Sequence, residues 1–359
     1  MRIDQVIPSL ASRDAIGVHT INLRDGLRVA GIESDIYYGS YTPDVQHEGR
    51  PVTELGRAGR DRWLLYQSSI GSPVYDILSA RPEPKLVNYH NITPAALLRD
   101  WEPNVAYEAS LGRTQLARLA PQSRFAVADS AFNESELQAL GYQDTAVVPL
   151  LIDMHRKSDA PDPALATRLR RQKETTGGAD LLFVGKISPH KAPHDLVKML
   201  SVLRRLYDPA ARLHLVGSPL GTTYEPVLRD FISELGLDDA VHFAGSVSGA
   251  ELEAYFRAAD VFVCASDHEG FCVPIAEAMG HGLPIVAYGV TAVPETVAGA
   301  GLVLPDKTPV HFAAAVARVL TDETLRTKLS AAGLARAAEF DLPSSVKLFV
   351  SLLQQAVGS

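Results

Sequence analysis

The stretch from Val261 to Ala287 leaves little choice of fold. Val261-Phe262-Val263-Cys264 has the β-branched and aromatic content of a strand buried on both faces. A helical stretch follows the loop, with Pro274 in its first turn, where a missing N–H costs nothing. That helix ends near Gly280 and Gly282, and Leu283 to Ala287 reads as the next strand. Strand, loop, helix, strand is a parallel crossover unit. Its loop lies at the carboxyl end of a strand, where open α/β sheets bind ligands.

The same alternation runs through the chain. Strands are expected at Ile3–Ile7, Asp35–Tyr38, Arg62–Tyr66, Lys85–Tyr89 and Phe125–Ala128, with helices at Val18–Ala30 and Tyr107–Leu119 among them. Ser130 and Asn133 are good caps for a helix after Ala128. From Leu181 the pattern restarts. Strands are read at 181–184, 213–216 and 241–243, and helices from His194, at 224–235 and at 250–258. Repeated strand–helix units imply a parallel sheet with both faces covered, twice over. A chain of 359 residues at 46% hydrophobic also suits two α/β domains better than one. The expected division is 1–153, 154–340 and a terminal helix in 341–359, able to pack on either domain. Residues 44–62 read as an irregular connection, and 154–180 as a polar hinge with a basic stretch from Arg168 to Lys173.

Charge narrows the functions. Residues 1–150 hold 14 Lys/Arg and 18 Asp/Glu, the remainder 20 and 24, so each part is net −4. No bulk basic surface offers itself to nucleic acid or anionic lipid. Two cysteines, Cys264 and Cys272, flank one loop and read as reduced thiols of a cytoplasmic protein. MRIDQVIPSL lacks the layout of a signal peptide, and no apolar run reaches the roughly 18–20 residues that span a bilayer. A soluble protein is expected.

Two carboxylates mark the loop and helix after Cys264. Glu269 lies in the loop and Glu277 one turn or so into the helix, and a carboxylate suits vicinal sugar hydroxyls. Between them the N–H groups of Phe271, Cys272 and Val273 open the helix, an anion site. Each carboxylate alone reads equally as a solvated residue or a charge favoured by the helix dipole. Together with the anion site they describe a nucleotide-sugar pocket.

Glu269-Gly270-Phe271, followed by Pro274 and Glu277, resembles the E-x7-E signature of retaining glycosyltransferases of family 4. Gly282-Leu283-Pro284 and Pro294-Glu295-Thr296 continue that pattern, and His268 to Pro274 is similar to a branch among bacterial polysaccharide and O-antigen glycosyltransferases. The resemblance implies the GT-B fold, two Rossmann-like doubly wound domains, with the nucleotide-sugar donor on the second, the acceptor on the first, and the terminal helix packed back across the first. Gly185-Lys186 through Lys191 matches the family's glycine, base, four residues, lysine pattern, which implies both lysines facing the diphosphate. Ala192 and Cys272 stand where glycine is commoner, and Leu150-Leu151 where many members have Asn-Gly. His90, at the carboxyl end of a strand, matches the histidine that touches the donor sugar's terminal hydroxyl, and is expected to point at the ligand. Gly17 would let backbone approach the substrates, or simply form a turn.

The implied reaction moves a hexose, of GDP-mannose or UDP-glucose type, to a sugar, lipid-linked or small-molecule acceptor with retention. Asp-x-Asp occurs nowhere in the chain, so no metal and no cofactor beyond the donor is expected, and membrane contact is at most peripheral. Another GT-B enzyme, such as an epimerase, and a non-catalytic sugar-binding protein remain the rival readings.

Overall fold

The computed structural model describes residues 1–12, 14–59, 61–153 and 160–358. It divides into two compact units, Met1–Arg99 with Pro103–Asp153 and Phe340–Ser359, and Asp100–Glu102 with Met154–Glu339. Residues 154–159 of the expected hinge lie outside the described residues.

The first unit is built on seven strands: β1 (Arg2–Leu10), β2 (Ile36–Tyr41), β3 (Arg50–Pro51), β4 (Arg62–Ser68), β5 (Lys85–Tyr89), β6 (Ser123–Ala128) and β7 (Thr145–Val147). They are all parallel, in the order β3-β2-β1-β4-β5-β6-β7. Their crossovers carry α1 (Ala15–Val29), α2 (Val74–Ser79), α3 (Pro103–Leu119) and α4 (Ala131–Ala139). The connection read as irregular contains two short 3-10 turns and β3, an edge strand too short to leave a periodic signal. Ser130 caps α4 by accepting from the Asn133 N–H at 3.2 Å, whereas Asn133 itself lies inside the helix. Gly17 falls within the first turn of α1, where a Cβ would lie 2.1 Å from the Ala11 carbonyl oxygen. Close packing of the preceding loop therefore requires glycine there.

The second unit holds β8 (Asp180–Val184), β9 (Arg212–Val216), β10 (Val241–Gly245), β11 (Val261–Cys264), β12 (Ile285–Tyr288) and β13 (Leu302–Leu304), parallel in the order β10-β9-β8-β11-β12-β13. Its helices are α5 (Pro163–Thr176), α6 (Pro193–Leu206), α7 (Tyr224–Glu234), α8 (Gly249–Ala258), α9 (Val273–Gly280), α10 (Val293–Val297), α11 (Pro309–Thr321) and α12 (Glu323–Ala338). The chain lays β9 and β10 to one side of β8, then returns with β11 on the other. The point of reversal, between β8 and β11, is where such sheets hold ligands. Leu181, Phe183, Leu213, Val261 and Val263 share one core with Leu196 and Leu200 of α6 and Phe312 and Val316 of α11. Much of the supposed hinge is in fact α5. Its Leu165 and Leu169 are buried, and Lys173 reaches Asp260 at 2.6 Å.

The last helix, α13 (Leu342–Gly358), belongs to the first unit. Phe349 and Leu353 are fully buried with Ile3, Leu23 and Leu27. A Cβ at Gly26 of α1 would lie 2.3 Å from Val346 Cγ1, so glycine sets how closely the two helices approach.

Candidate active site

In the second unit, the loops after β8 and β11 bring together residues far apart in sequence. Lys191 Nζ donates to Glu269 Oε2 at 2.7 Å, and Ser266 Oγ donates to Glu269 Oε1 at 2.7 Å. The backbone of Glu269 is held in turn by Thr291, whose Oγ1 accepts from its N–H at 2.9 Å and donates to its carbonyl at 2.8 Å. Burial pulls the Lys191 ammonium toward neutrality, but the Glu269 carboxylate outweighs that and leaves its pKa above the usual lysine value. Lys191 is therefore a fixed charge. Lys186 is exposed and makes no ion pair among the described residues, so the two lysines expected to act together differ in environment.

The helix opening is built on an unusual backbone. Cys272, the residue before α9, has φ 70° and ψ 66°, the left-handed region. Ala192, between the turn carrying Lys191 and α6, has φ 47°, and Thr291 φ 49°. Non-glycine residues enter this region at a cost of roughly 1–2 kcal/mol each. Of the five such residues described in the chain, these three surround Glu269, and a fourth, Asn91 (φ 72°), follows His90. Strain of this kind collects where a site dictates the backbone. Val273 begins α9 with Pro274 behind it, so the helix dipole aims its positive end at this loop, beside Gly270 and Phe271.

Glu277 lies about one turn into α9, half-buried, and its carboxylate makes no hydrogen bond or ion pair among the described residues. Burial pushes its pKa up to about 7. Between the ordinary value of 4.5 and about 7, the folded state keeps a proton that the unfolded state has lost. Stability therefore falls as pH rises through this window. Glu277→Gln escapes that loss. Its stability relative to the native protein should grow with pH and level off above about pH 7, by at most about 3 kcal/mol. Urea unfolding from about pH 5 to about pH 8 checks it. A gap that stays constant would mean that Glu277 is ionised throughout.

Sequence reasoning missed several partners. Ser266 and Thr291 carry no motif. His190 is buried beside Lys191 with its Nδ1 unpartnered among the described residues, and burial followed by the Lys191 charge holds its pKa down to about 3. His190 and His194 have the spacing of a helical metal pair, but Ala192 breaks the helix between them and His194 Nδ1 meets Tyr224 Oη at 2.7 Å. Two thiols and a carboxylate also converge, a grouping that no ligand spacing in the sequence announces. Ligand atoms of Cys264, Glu269 and Cys272 lie within 4.8 Å of one another.

In the first unit, His90 follows β5 as expected, but its ring is enclosed. Its side chain is 1% exposed, Nδ1 lies 2.9 Å from Asp129 Oδ2, and Nε2 lies 2.7 Å from Gln67 Oε1. The polarity of this network is anchored at its far end. Gln5 Nε2 donates to the Thr20 carbonyl, so Gln5 Oε1 accepts from Gln67 Nε2, which turns Gln67 Oε1 toward His90. The ring thus faces an acceptor through Nε2 and a carboxyl through Nδ1. Burial raises the Asp129 carboxyl above the usual range and His90 pulls it back only in part. These partners arrive from β1, β4 and the end of β6, which no local reading of His90 could supply.

Residues 167–336 match the family described as glycosyl transferases group 1. Over 226 residues, 59% of this chain and 52% of the relative, the chain is 35% identical to the D-inositol 3-phosphate glycosyltransferase of Kineococcus radiotolerans. Over 182 residues, 48% of this chain and 46% of the relative, it is 32% identical to the GDP-mannose-dependent alpha-(1-6)-phosphatidylinositol monomannoside mannosyltransferase of Mycobacterium tuberculosis. The chain spans about half the length of these curated relatives. The solved structure of Anabaena HepE in complex with UDP and glucose aligns with a TM-score of 0.78, over 99% of this chain and 100% of that one, at 18% identity. The chain has the fold of the GT-B glycosyltransferases, and its segment 167–336 matches the group 1 family.

Proposed function

We propose that the protein is a retaining glycosyltransferase of family 4 that moves a hexose from a nucleoside-diphosphate sugar to a hydroxyl acceptor. One observation carries the reading: Lys191 and Glu269, 78 residues apart, are joined at 2.7 Å beside the opening of α9, at the reversal point of the second sheet. A lysine of fixed charge and a helix N-terminus suit a leaving diphosphate. Glu269 suits hydroxyls of the transferred sugar and Glu277 the ribose. Lys186, exposed beside Gly185, completes the diphosphate side. The assignments of His90 and Gly17, in the first unit, rest on the resemblance alone.

The chemistry follows from what Glu269 is doing. A double displacement needs a carboxylate free to attack the anomeric carbon. Glu269 is already held by Lys191 and Ser266. Same-face attack through an oxocarbenium-like transition state, with a leaving-phosphate oxygen taking the acceptor proton, retains configuration without such a nucleophile. The donor is of GDP-mannose or UDP-glucose type: the mycobacterial relative is named for GDP-mannose, and the Anabaena structure contains UDP and glucose. The acceptor is a sugar, a lipid-linked sugar or a small-molecule hydroxyl. No helix among the described residues is long and apolar enough to cross a membrane.

Thermal shift against UDP, GDP and their hexose conjugates tests the donor. A ligand at 100 times its dissociation constant stabilises by about 2.7 kcal/mol. Transfer from the donor so identified should survive EDTA, because Lys191, Lys186 and the helix opening hold the charge a metal would hold. Loss of activity on EDTA with rescue by magnesium or manganese would place the diphosphate elsewhere.

A further inference from the structure

Cys264 ends β11 and Cys272 precedes α9, and the loop between them carries Glu269. All three are buried, at 2%, 7% and 7% exposure. Their ligand atoms lie within 4.8 Å of one another, and Cys264 Sγ also lies 3.4 Å from Ser266 Oγ. Cys272 occupies a left-handed position that glycine would fill without strain, and its thiol joins this group. Thiolates select zinc and its soft neighbours, and a carboxylate oxygen is an ordinary third ligand. In a tetrahedral zinc site with Zn–S near 2.3 Å, sulfurs stand about 3.7 Å apart. The group is therefore close to ligand spacing before any ion arrives.

We propose that Cys264, Cys272 and Glu269 form an inhibitory site for a thiophilic divalent cation, zinc foremost. Binding releases the two thiol protons to solvent. It also draws Glu269 away from Lys191 and Ser266, so the cation and the sugar donor exclude each other. Three protein ligands leave the fourth position to water. Inhibition rests on the donor-site reading above, whereas the metal site itself does not.

The experiment uses the full reduced chain and cobalt(II) as the optical probe. One equivalent should produce thiolate-to-cobalt charge-transfer absorption, which zinc then abolishes by displacement. Cys264→Ser and Cys264→Ala should lose that band, and so should Cys272→Gly, which keeps the left-handed backbone. Melting curves of each variant establish that it is folded. In the transfer assay, free zinc at about ten times its dissociation constant should raise the native protein's apparent donor KM about tenfold, reversibly with EDTA. The Cys264 variants should keep their transfer rate in its presence. Absence of the band at one equivalent, or its persistence in folded Cys264 variants, overturns the site. A band with the expected variant pattern but undiminished transfer under zinc overturns the inhibition. If the band behaves as expected and no donor is turned over by any form, the metal site stands and the glycosyltransferase reading fails.

Discussion

Lys191→Ala should lower the rate of sugar transfer by a hundredfold or more. Loss of one preorganised donor to a developing anion typically costs about a hundred- to a thousandfold, and Lys191 is a full charge held in place by a carboxylate 2.7 Å away. The same ion pair complicates the experiment, because removing the lysine leaves the buried Glu269 carboxylate with Ser266 alone. Some stability will be lost along with activity. A second variant separates the two effects. Lys191→Ala combined with Glu269→Gln removes the unpaired charge, so melting should recover toward the native value while transfer stays low. Lys191→Arg keeps the charge and should retain more activity than alanine. Should the single alanine variant transfer sugar at the native rate once it is folded, Lys191 is a structural partner of Glu269 and the diphosphate lies elsewhere.

The difference between what was legible in the sequence and what was not follows the range of the forces involved. Strands of the second sheet were readable because burial on both faces makes them short apolar runs, as in Leu181–Val184 and Val261–Cys264. Alternation with helices then implied parallel crossovers, which is why Glu269 and the lysine loop could be placed at strand ends, while the strand order itself came only with the structure. The terminal helix was legible as a helix, but its partner was named only by the family resemblance, since Gly26 and Val346 become neighbours only in the folded unit. Left-handed backbone at Thr291 left no trace, and at Ala192 and Cys272 its only sign was that glycine is commoner there in the family the chain resembles. Local sequence announces that region through glycine or asparagine, and here tertiary contacts impose it on other residues. His90 shows the limit most clearly. Its position at the end of β5 was evident, yet its enclosure by Gln67 and Asp129 depends on strands β4 and β6 flanking β5.

Asp180→Asn should be the most destabilising polar substitution in the second unit. Asp180 opens β8 opposite Arg212 of β9, and both side chains are 4% exposed. Its Oδ1 accepts from Arg212 Nε at 2.8 Å and faces His214 Nε2 at 2.9 Å, while Oδ2 accepts from Arg212 Nη2 at 3.1 Å. An asparagine keeps the shape but leaves the buried guanidinium without a counter-charge. Breaking such a pair from one side costs roughly 3–5 kcal/mol, a large share of the roughly 5–15 kcal/mol that holds a protein folded. Burial pushes the Asp180 carboxyl up, but the hydrogen bonds and charges of His214 and Arg212 outweigh it and bring the pKa to about 2, below the ordinary 3.8. The unfolded carboxylate therefore takes up its proton first as pH falls. The stabilisation is complete above about pH 4 and fades toward pH 2, a change of about 2 kcal/mol. Urea unfolding followed at Trp101, which packs edge-on against Tyr224 in the second unit, reads this directly once Trp63 is replaced by phenylalanine. The native protein and the Asn variant should differ widely at neutral pH and converge in acid. A difference that persists unchanged at about pH 2 would mean that shape, not charge, holds β8 to β9 at this point.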